Sequence, residues 1–395
     1  MKTNIAVFFG CRSVEHEVSI ISAVQAMNSI DKTKHNVIPV YVSKESEMFS
    51  SPLLFDIENY KQDLKKLTSL CDKVTFVNDS NKVVMKTLGG GIFKKPKETP
   101  IDLAFPIVHG TNCEDGTMAG FFEFLNLPYI SCDVVSAAVG MDKAVFKSVL
   151  KSAGLPVLDC ISFRAREYAS DKNGILENLA KKIGFPMIIK PANLGSSVGI
   201  TKVNSLSELD GAVMLACSFA EKILAERAIT DLREINCSVL GDADSCISSV
   251  CEEPFMHDEI LSYADKYESS SKSKGMASLG RKIPADISDE LSNSIKEVSE
   301  KIMKVTGSSG VVRIDYLLDT KTGEFFANEI NTIPGSLAFY LWEASGIGYT
   351  ELIERLIQIA FKRDRNRKNL TFGIKTNILS GVGFGSKGAK GSKIQ

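Results

Sequence analysis

The segment Val311–Asn331 carries acid, amide and guanidinium side chains at two-residue spacing. Its sequence, VVRIDYLLDTKTGEFFANEIN, predicts two short strands joined by a turn. Because alternate residues of a strand share a face, Arg313 and Asp315 project together from the first strand. Glu329 and Asn331 do so from the second. Two carboxylates and an amide suit Mg²⁺ or Mn²⁺, so the hairpin predicts a metal site, although a polar face in contact with water gives the same alternation.

A lysine and a glycine-serine loop lie upstream, in the sequence FPMIIKPANLGSSVGITKV. Lys190 ends the first predicted strand, and Ser196 and Ser197 stand in the loop before the next strand. Glycines let backbone N–H groups approach phosphate oxygens, serines add hydroxyl donors, and the lysine adds a positive charge. The sequence therefore indicates a phosphate site, and a glycine-serine turn without a ligand is the alternative.

Another candidate group lies in the N-terminal part of the chain. Asn4–Phe9 predicts a buried strand followed by a helix, and Ile101–Gly110 predicts a second buried strand. His109 and Glu114 follow that second strand at its carboxyl end, where open α/β sheets place ligands. Glu15 lies near the first turn of the helix. A structural histidine and a glutamate stabilised by the helix dipole are the alternatives.

Two long segments do not resolve into clear elements. Lys44–Lys97 is interpreted as a charged insertion. Ile260–Pro284 is rich in serine, lysine and glycine, and loops of this size are usually disordered or act as functional lids. Lys266 and Tyr267 are the side chains of this segment best suited to chemistry.

Composition limits the possible functions. The net charge of −1 gives no general attraction to nucleic acid or to an anionic membrane. The sequence has neither a signal peptide nor an apolar run near the ~18 residues needed to cross a bilayer, so we expect a cytoplasmic protein. Nine cysteines, an odd number without zinc-site spacing, favour reduced thiols over a disulfide framework.

Seven motifs in order resemble those of the D-alanine–D-alanine ligases, members of the ATP-grasp superfamily. They are FFGCRSVEHEVS, HGTNCEDG, MDK, IIKPANLGSSVG, SYADKY, RIDYLLD and NEINTIPGS. The resemblance implies an α/β and α+β chain with an ATP-grasp fold. Its units would be an N-terminal Rossmann-like domain at 1–140, a small lid domain at 141–230, a catalytic domain at 231–370 and a flexible tail at 371–395.

The resemblance also implies a reaction. The carboxylate of one D-alanine would attack the γ-phosphate of ATP, and the amine of a second D-alanine would attack the resulting acyl-phosphate. The product would be D-alanyl-D-alanine for peptidoglycan synthesis. Two Mg²⁺ or Mn²⁺ ions per site and a homodimer are further implications.

Site residues follow from the same resemblance. The metal ligands would be Asp315, Glu329 and Asn331. Phosphate contacts would come from Lys143, Lys190, Ser197 and Lys266, with Glu226 at the adenine and Glu234 at the ribose. Arg313, His109 and the Gly335 N–H would stabilise the oxyanion. Glu15 would bind the first ammonium and connect through Ser196 to Tyr267, and Glu114 would orient His109.

The sequence departs from the family pattern near the substrates. Cys11 and Cys113 replace glycines of the first two motifs. By spacing, Tyr340 replaces a serine that holds the second substrate's carboxylate in the family, and Ser336 is a possible substitute donor. These changes leave the acceptor open, with D-serine, D-lactate and other amino acids as alternatives.

Two alternative functions lie outside ligase chemistry. A nucleotide-dependent dehydrogenase would explain the N-terminal strand and helix, but the glycine fingerprint is missing. A non-catalytic ATP-binding relative would not need the charged cluster around Asp315 and Arg313.

Overall fold

The computed structural model of the chain describes residues 2–61, 63–89, 96–195, 198–254, 280–371 and 373. The predictions for Ser196, Ser197, Lys266 and Tyr267, and nearly all of the 371–395 tail, lie outside these residues. Three separate sheets organise the described part of the chain.

The first sheet has the strand order β6-β5-β4-β3-β2-β1-β7. Its strands are β1 (Thr3–Gly10), β2 (His35–Val42), β3 (Met48–Ser50), β4 (Asp72–Asp79), β5 (Lys82–Thr87), β6 (Glu98–Ile101) and β7 (Leu103–Ile107). The central strand β1 pairs in parallel with β2 and with β7. It is a continuous apolar run because both of its faces are covered, as in buried parallel sheets.

The segment interpreted above as an insertion, 44–97, instead forms a large part of this sheet. Strands β3 to β5 pair antiparallel in succession from β2 outwards. Val74 and Phe76 of β4 and Val83 and Met85 of β5 bury alternate side chains in the same core as β1. The charges of this segment therefore lie around a half-buried sheet edge.

Four helices belong to this unit or lead out of it. They are α1 (His16–Ser29), α2 (Leu64–Ser69), α3 (Thr117–Leu125) and α4 (Val134–Met141). The adjoining helix, α5 (Lys143–Ser152), begins at Asp142, whose carboxylate accepts hydrogen bonds from the N–H groups of Ala144 and Val145.

The second sheet is four-stranded and antiparallel, in the order β10-β9-β11-β8. Its strands are β8 (Cys160–Arg164), β9 (Met187–Pro191), β10 (Thr201–Val203) and β11 (Lys222–Arg227). Helices α6 (Ala165–Ser170), α7 (Lys172–Lys182) and α8 (Leu206–Phe219) cover one face and form a separate small core.

The third sheet is antiparallel, in the order β14-β13-β12-β15-β16. Its strands are β12 (Leu232–Gly241), β13 (Cys246–Pro254), β14 (Arg281–Lys282), β15 (Gly310–Asp319) and β16 (Phe325–Asn331). One face packs on α9 (Asp289–Thr306), whose buried stripe includes Ile295, Ile302 and Met303. The other face carries the polar side chains of the predicted hairpin.

The chain then returns to the first unit. A left-handed turn at Ser336, Leu337 and Ala338, with φ of 50°, 56° and 50°, precedes α10 (Phe339–Ala344) and α11 (Tyr349–Lys368). Helix α11 packs Leu352 and Leu356 into the apolar core that contains β1. The first and third sheets are thereby held against each other. Among the helices of the described ranges, none has both the length and the apolar character needed to cross a bilayer.

Candidate active site

Four polar residues lie in direct register across the third sheet. Glu329 of β16 pairs with Asp315 of β15. Asp315 in turn pairs with Asn236 of β12, and Asn236 pairs with Glu252 of β13. We call Glu329, Asp315, Asn236 and Glu252 the polar row. Because neighbouring strands lie ~4.8 Å apart, the row presents polar side chains across about 14 Å of sheet.

Asp315 of the polar row forms a bidentate ion pair with Arg313. Arg313 Nε lies 2.7 Å from Asp315 Oδ1, and Nη2 lies 2.8 Å from Oδ2. Asn331 Nδ2 donates to the same Oδ2 at 3.0 Å. Burial raises the pKa of Asp315, and Glu329 adds to this, while Arg313 opposes it. Arg313 and Asp315 thus share a face with Asn331 and Glu329, as the alternation in sequence predicted.

The residues of this hairpin fit a divalent cation chemically. Asp315 and Glu329 face each other from adjacent strands and crowd negative charge that a cation would neutralise. Among the described residues no group of three or more histidine, cysteine or acidic side chains is placed to hold a metal. The set therefore depends on the Asn331 amide and on oxygens from outside the protein, as is usual for Mg²⁺ with nucleotide phosphates.

A buried carboxylate lies between two lysines on the facing sheet. Lys190 Nζ donates to Glu226 Oε1 at 2.5 Å and to Asn328 Oδ1 at 2.9 Å. Lys147 Nζ lies 2.7 Å from Glu226 Oε2, close enough for an ion pair but outside hydrogen-bond geometry. Burial alone would raise the pKa of Glu226, but the two ammonium groups lower it to about 2. Glu226 is therefore ionised and holds both lysines in place.

A cleft of about 220 Å³ lies between the second and third sheets. Its polar lining includes Lys143, Lys190, Lys202, Glu226, Glu234, Asp315 and Glu329, and its apolar lining includes Ile188, Ile200, Ile229, Leu232 and Leu317. Lys143 crosses the cleft, with Nζ 3.0 Å from Glu329 Oε2 and 2.8 Å from the Leu194 carbonyl oxygen. Lysines at one end and aliphatic walls elsewhere suit a nucleotide, with phosphates near Lys143 and Lys190.

His109 is held on both sides of its ring. Its Nδ1 lies 2.7 Å from the Ile333 carbonyl oxygen, and its Nε2 lies 2.9 Å from Ser22 Oγ. Burial lowers the pKa of His109, so the ring is neutral. Since a carbonyl only accepts, Nδ1 carries the proton and Nε2 accepts from the Ser22 hydroxyl. Ser22 Oγ in turn accepts from the Ser336 N–H at 3.0 Å.

Glu114 is connected to His109 through backbone groups, and its orienting role stays a prediction. Its carboxylate accepts from the Gly110 N–H at 2.7 Å and the Ile333 N–H at 2.8 Å. The connection to His109 therefore runs through the peptide units of Ile333. Burial and the nearby Glu15 raise the pKa of Glu114 to about 7. Two buried carboxylates side by side create a site for a cation such as an ammonium group.

Glu15 lies where the first unit meets the glycine-serine loop. A Cβ added to Gly110 would lie 2.9 Å from Glu15 Oε2, and one added to Gly195 would lie 3.6 Å away. The chain thus uses glycines on both sides of this carboxylate. Glu15, His109 and Glu114 together are called the first-substrate pocket below.

The two hydroxyls considered for the second substrate both contact protein groups. Ser336 Oγ donates to Gln25 Oε1 at 2.7 Å and is buried. The Tyr340 hydroxyl donates to Glu252 Oε1 at 3.1 Å, and the Arg281 guanidinium lies 4.1 Å from the centre of the Tyr340 ring. The hydroxyl of Tyr340 is therefore engaged as a donor to Glu252.

Of the two glycine replacements, Cys11 adopts the conformation that a glycine favours. Its φ is 73°, in the left-handed region, and the residue is buried. Cys113 is also buried, with its Sγ 4.0 Å from Met118 Sδ. The thiols fill space near the first-substrate pocket that a glycine would leave open.

Several residues of the site were missed by the sequence analysis. They are Ser22, Lys147, Asn236, Glu252, Arg281 and Asn328. Lys147 had a usable signal, because it stands one helical turn after Lys143 and so shares its face. Asn328 lies within the predicted hairpin, at a register shift next to Glu329 that strict alternation does not predict, and the others come from segments distant in sequence.

Two antiparallel sheets that face each other across a lysine-lined cleft, with acids and an arginine on the floor, define an ATP-grasp ligase. Comparisons with known proteins identify the family. The family models described as D-ala D-ala ligase N-terminus and C-terminus match residues 4–132 and 149–358. The chain belongs to the D-alanine–D-alanine ligase family, whose members are ATP-dependent, metal-using enzymes that form carbon–nitrogen bonds.

Relatives and solved structures agree with this assignment. The D-alanine–D-alanine ligase of Thermosipho melanesiensis is 39% identical over 378 residues, which are 95% of this chain and 98% of the relative. The Coxiella burnetii D-alanine–D-alanine ligase structure superposes with a TM-score of 0.75 at 26% identity, covering 93% of this chain and 96% of the other. The VanG D-Ala:D-Ser ligase of Enterococcus faecalis also gives a TM-score of 0.75, at 27% identity, covering 91% of this chain and all of its own.

Proposed function

We propose that the chain joins two D-alanine molecules in an ATP-dependent reaction that supplies D-alanyl-D-alanine for peptidoglycan. The observation that carries this proposal is that Arg313 is paired with Asp315, which lines the nucleotide cleft, and is also close enough to His109 of the first-substrate pocket to help lower the pKa of that ring. Lys143 and Lys190 line the same cleft, and Glu15 lies close enough to Glu114 to help raise the pKa of that carboxyl. Relatives 35–39% identical to the chain are D-alanine–D-alanine ligases.

The first step would be phosphoryl transfer. Glu15, with Glu114 beside it, would hold the ammonium of the first D-alanine. A carboxylate oxygen of this D-alanine would then attack the γ-phosphorus of ATP as the bond from that phosphorus to ADP breaks. Lys143 and Lys190 would fix the phosphates, with Glu226 on the adenine side and Glu234 on the ribose side. A divalent cation held by Asp315, Glu329 and Asn331 would neutralise phosphate charge. We expect Mg²⁺ or Mn²⁺, two per site. Such a reaction requires mainly positioning and charge neutralisation.

The second step would be attack by the amine of the acceptor on the acyl carbon. A carbon–nitrogen bond forms, the amine loses a proton, and the carbon–oxygen bond to phosphate breaks. Arg313 would stabilise the oxyanion because its guanidinium is buried and permanently charged. The Gly335 N–H would add a donor. His109 supports the first-substrate pocket by fixing Ser22 and Ile333.

Lid closure would exclude water from the acyl-phosphate. Ser196 and Tyr267 would connect Glu15 to the lid, and Ser197 and Lys266 would contact phosphate. The division into units at 1–140, 141–230 and 231–370, a homodimer and a cytoplasmic location complete the proposal. The nine cysteines, all described and all free, support a reducing compartment.

D-Serine as acceptor is the second candidate. Tyr340 stands in place of the family's serine, and a D-Ala:D-Ser ligase from Enterococcus faecalis is a structural neighbour. The test is Mg²⁺-dependent release of ADP and phosphate with D-alanine, D-serine, D-lactate and L-amino acids, with products identified by mass. Formation of D-alanyl-D-alanine from D-alanine alone is the expected result. Turnover only with a mixed pair would transfer the function to a sister ligase, and no ADP release with any of them would refute the ligase proposal.

A further inference from the structure

Lys147 is a buried lysine that the proposed mechanism does not use. It stands one helical turn after Lys143 on α5, and only 2% of its side chain is exposed. Its Nζ lies 2.7 Å from Glu226 Oε2, while Lys190 Nζ lies 2.5 Å from the other carboxylate oxygen, Oε1. We call Lys147, Glu226 and Lys190 the charge triad.

One carboxylate cannot neutralise two lysines. Burial alone would raise the pKa of Glu226, but the two lysines lower it to about 2, so Glu226 carries one negative charge. Within the described ranges, neither Lys147 nor Lys190 forms an ion pair with another acid. Lys190 also donates to Asn328 Oδ1 at 2.9 Å, but an amide is uncharged. Two ammonium groups and one carboxylate therefore leave the charge triad with an excess of one positive charge.

This excess charge acts on the cleft between the second and third sheets. Lys190 and Glu226 line the cleft, and Lys147 reaches Glu226 from α5 without being part of the lining. Burial lowers the pKa of Lys190, Glu226 opposes this effect, and Lys147 adds to it. The positive charge of Lys147 is thus felt at the lysine that would contact phosphate.

Lys143, by contrast, pairs with a different acid. Its Nζ lies 3.0 Å from Glu329 Oε2. The excess charge therefore belongs to the charge triad and not to Lys143. A buried charge without a counter-ion costs free energy, and an anion bound next to it recovers part of that cost. The arrangement favours a ligand that brings several negative charges to Lys190, as a triphosphate does.

We propose that Lys147 supplies the positive charge with which the cleft attracts the triphosphate of ATP, acting through Glu226 and Lys190. This inference rests on the proposed ligase function and extends it. Lys147 is a positioning residue, because it does not line the cleft and acts only through the other two members of the charge triad. Without Lys147, Glu226 and Lys190 would form a neutral pair, and the attraction to phosphate at this end of the cleft would weaken.

The test compares ATP with adenosine, which has the same base and ribose but no phosphates. The dissociation constant of ATP is measured by calorimetry, and that of adenosine by its competition with ATP. Both are measured on the whole chain with Mg²⁺ and without D-alanine, so that no ligation takes place. The ratio of the ATP constant to the adenosine constant reports recognition of phosphate charge. A general loss of packing would weaken both ligands alike and leave the ratio unchanged.

Lys147→Met removes the charge and keeps most of the side-chain length. It should raise this ratio by about tenfold to a hundredfold, the effect of one buried charge near an anion at an effective dielectric constant of about 20. Lys147→Gln also lacks the charge and should have the same effect. The matched control is Lys151→Met, because Lys151 stands one turn further along α5 and pairs with Asp159 at the surface. Its ratio should equal that of the wild type.

The outcomes separate the two proposals. A wild type that makes no dipeptide in the assay above would refute the ligase function, whereas the ratio of dissociation constants is measured without ligation and judges Lys147 separately. Neutral variants whose ratio equals that of the wild type would overturn the role of Lys147 alone. If Lys147→Met does not fold, the ratio for Lys147→Gln decides. Both variants should fold, because Glu226 keeps Lys190 as its counter-ion. Failure of both to fold would make Lys147 a structural residue and would also overturn the inference.

Discussion

Replacing Glu226 with glutamine should destabilise the protein by about 3 kcal/mol at neutral pH. Glu226 is almost completely buried, with Lys190 Nζ at 2.5 Å and Lys147 Nζ at 2.7 Å. Its pKa falls from the 4.5 of an ordinary glutamate to about 2. A shift of this size corresponds to roughly 3 kcal/mol, since each unit is worth about 1.36 kcal/mol. Breaking a buried ion pair from one side gives a similar magnitude, because two ammonium groups then lose their counter-ion.

The sign of the pH dependence follows from the lowered pKa. The folded state holds the carboxylate ionised, so this contribution is complete above the unfolded pKa of about 4.5 and is lost as the pH falls towards 2. The difference in the free energy of unfolding between wild type and Glu226→Gln should therefore be constant from pH 6 to 8 and shrink below about pH 5. Urea denaturation across this range measures it.

The control is an exposed pair of the same chemistry. Lys151 Nζ lies 2.5 Å from Asp159 Oδ1, but both side chains are more than two-thirds exposed to water. Asp159→Asn should cause no measurable change in the free energy of unfolding, because solvent screens the pair. A Glu226→Gln variant as stable as the wild type, or a difference that grows at low pH, would refute the view that Glu226 is a buried counter-ion.

Two further predictions concern the first-substrate pocket. Gly110→Ala and Gly154→Ala both place an alanine at a φ above 70°, so each should lower the free energy of unfolding by about 1–2 kcal/mol. Only at Gly110 does the new Cβ displace Glu15. Gly110→Ala alone should therefore also raise the KM for D-alanine. An unchanged KM would separate Glu15 from the substrate. Because the pKa of Glu114 is raised to about 7 beside Glu15, binding of the D-alanine ammonium should release a proton from Glu114. The affinity for D-alanine should therefore weaken as the pH falls from 8 to 6. Calorimetry in buffers of different ionisation enthalpy measures the proton release, and pH-independent binding would contradict the prediction.

The hairpin of Arg313 and Asp315 shows what local spacing predicts well. Alternation alone places these residues on one face, and the observed register sets Arg313 opposite Asn331 and Asp315 opposite Glu329. The prediction succeeds because both strands and their turn lie within a single short segment. Alternate side chains of a strand point to opposite faces of the sheet, so the polar residues can lie on only one of two faces. The apolar residues occupy the face that packs on the core and so place the polar residues on the other.

Asn236, Glu252 and Arg281 show where such reasoning stops. Asn236 and Glu252 reach Asp315 only through the pairing of β12 with both β13 and β15, and Arg281 joins through a strand of two residues. Strand order and register across a sheet depend on packing of the whole domain, so the sequence pattern around each residue carries no sign of the others. The strands within 44–97 were missed for a related reason, because charged and polar residues interrupt their short apolar alternation.

The third sheet fixes the spacing between the polar side chains of the site. Register fixes the separation between Glu329, Asp315 and Glu252 more firmly than loops could, because each strand is held to its neighbours by backbone hydrogen bonds. A ligase must align a phosphate, a carboxylate and an amine in one order, and a row of side chains on adjacent strands supplies such an order. Because Lys143 contacts Glu329 at one end of the row and Glu252 lies at the other end, residues at the Glu252 end can differ without altering the position of Lys143.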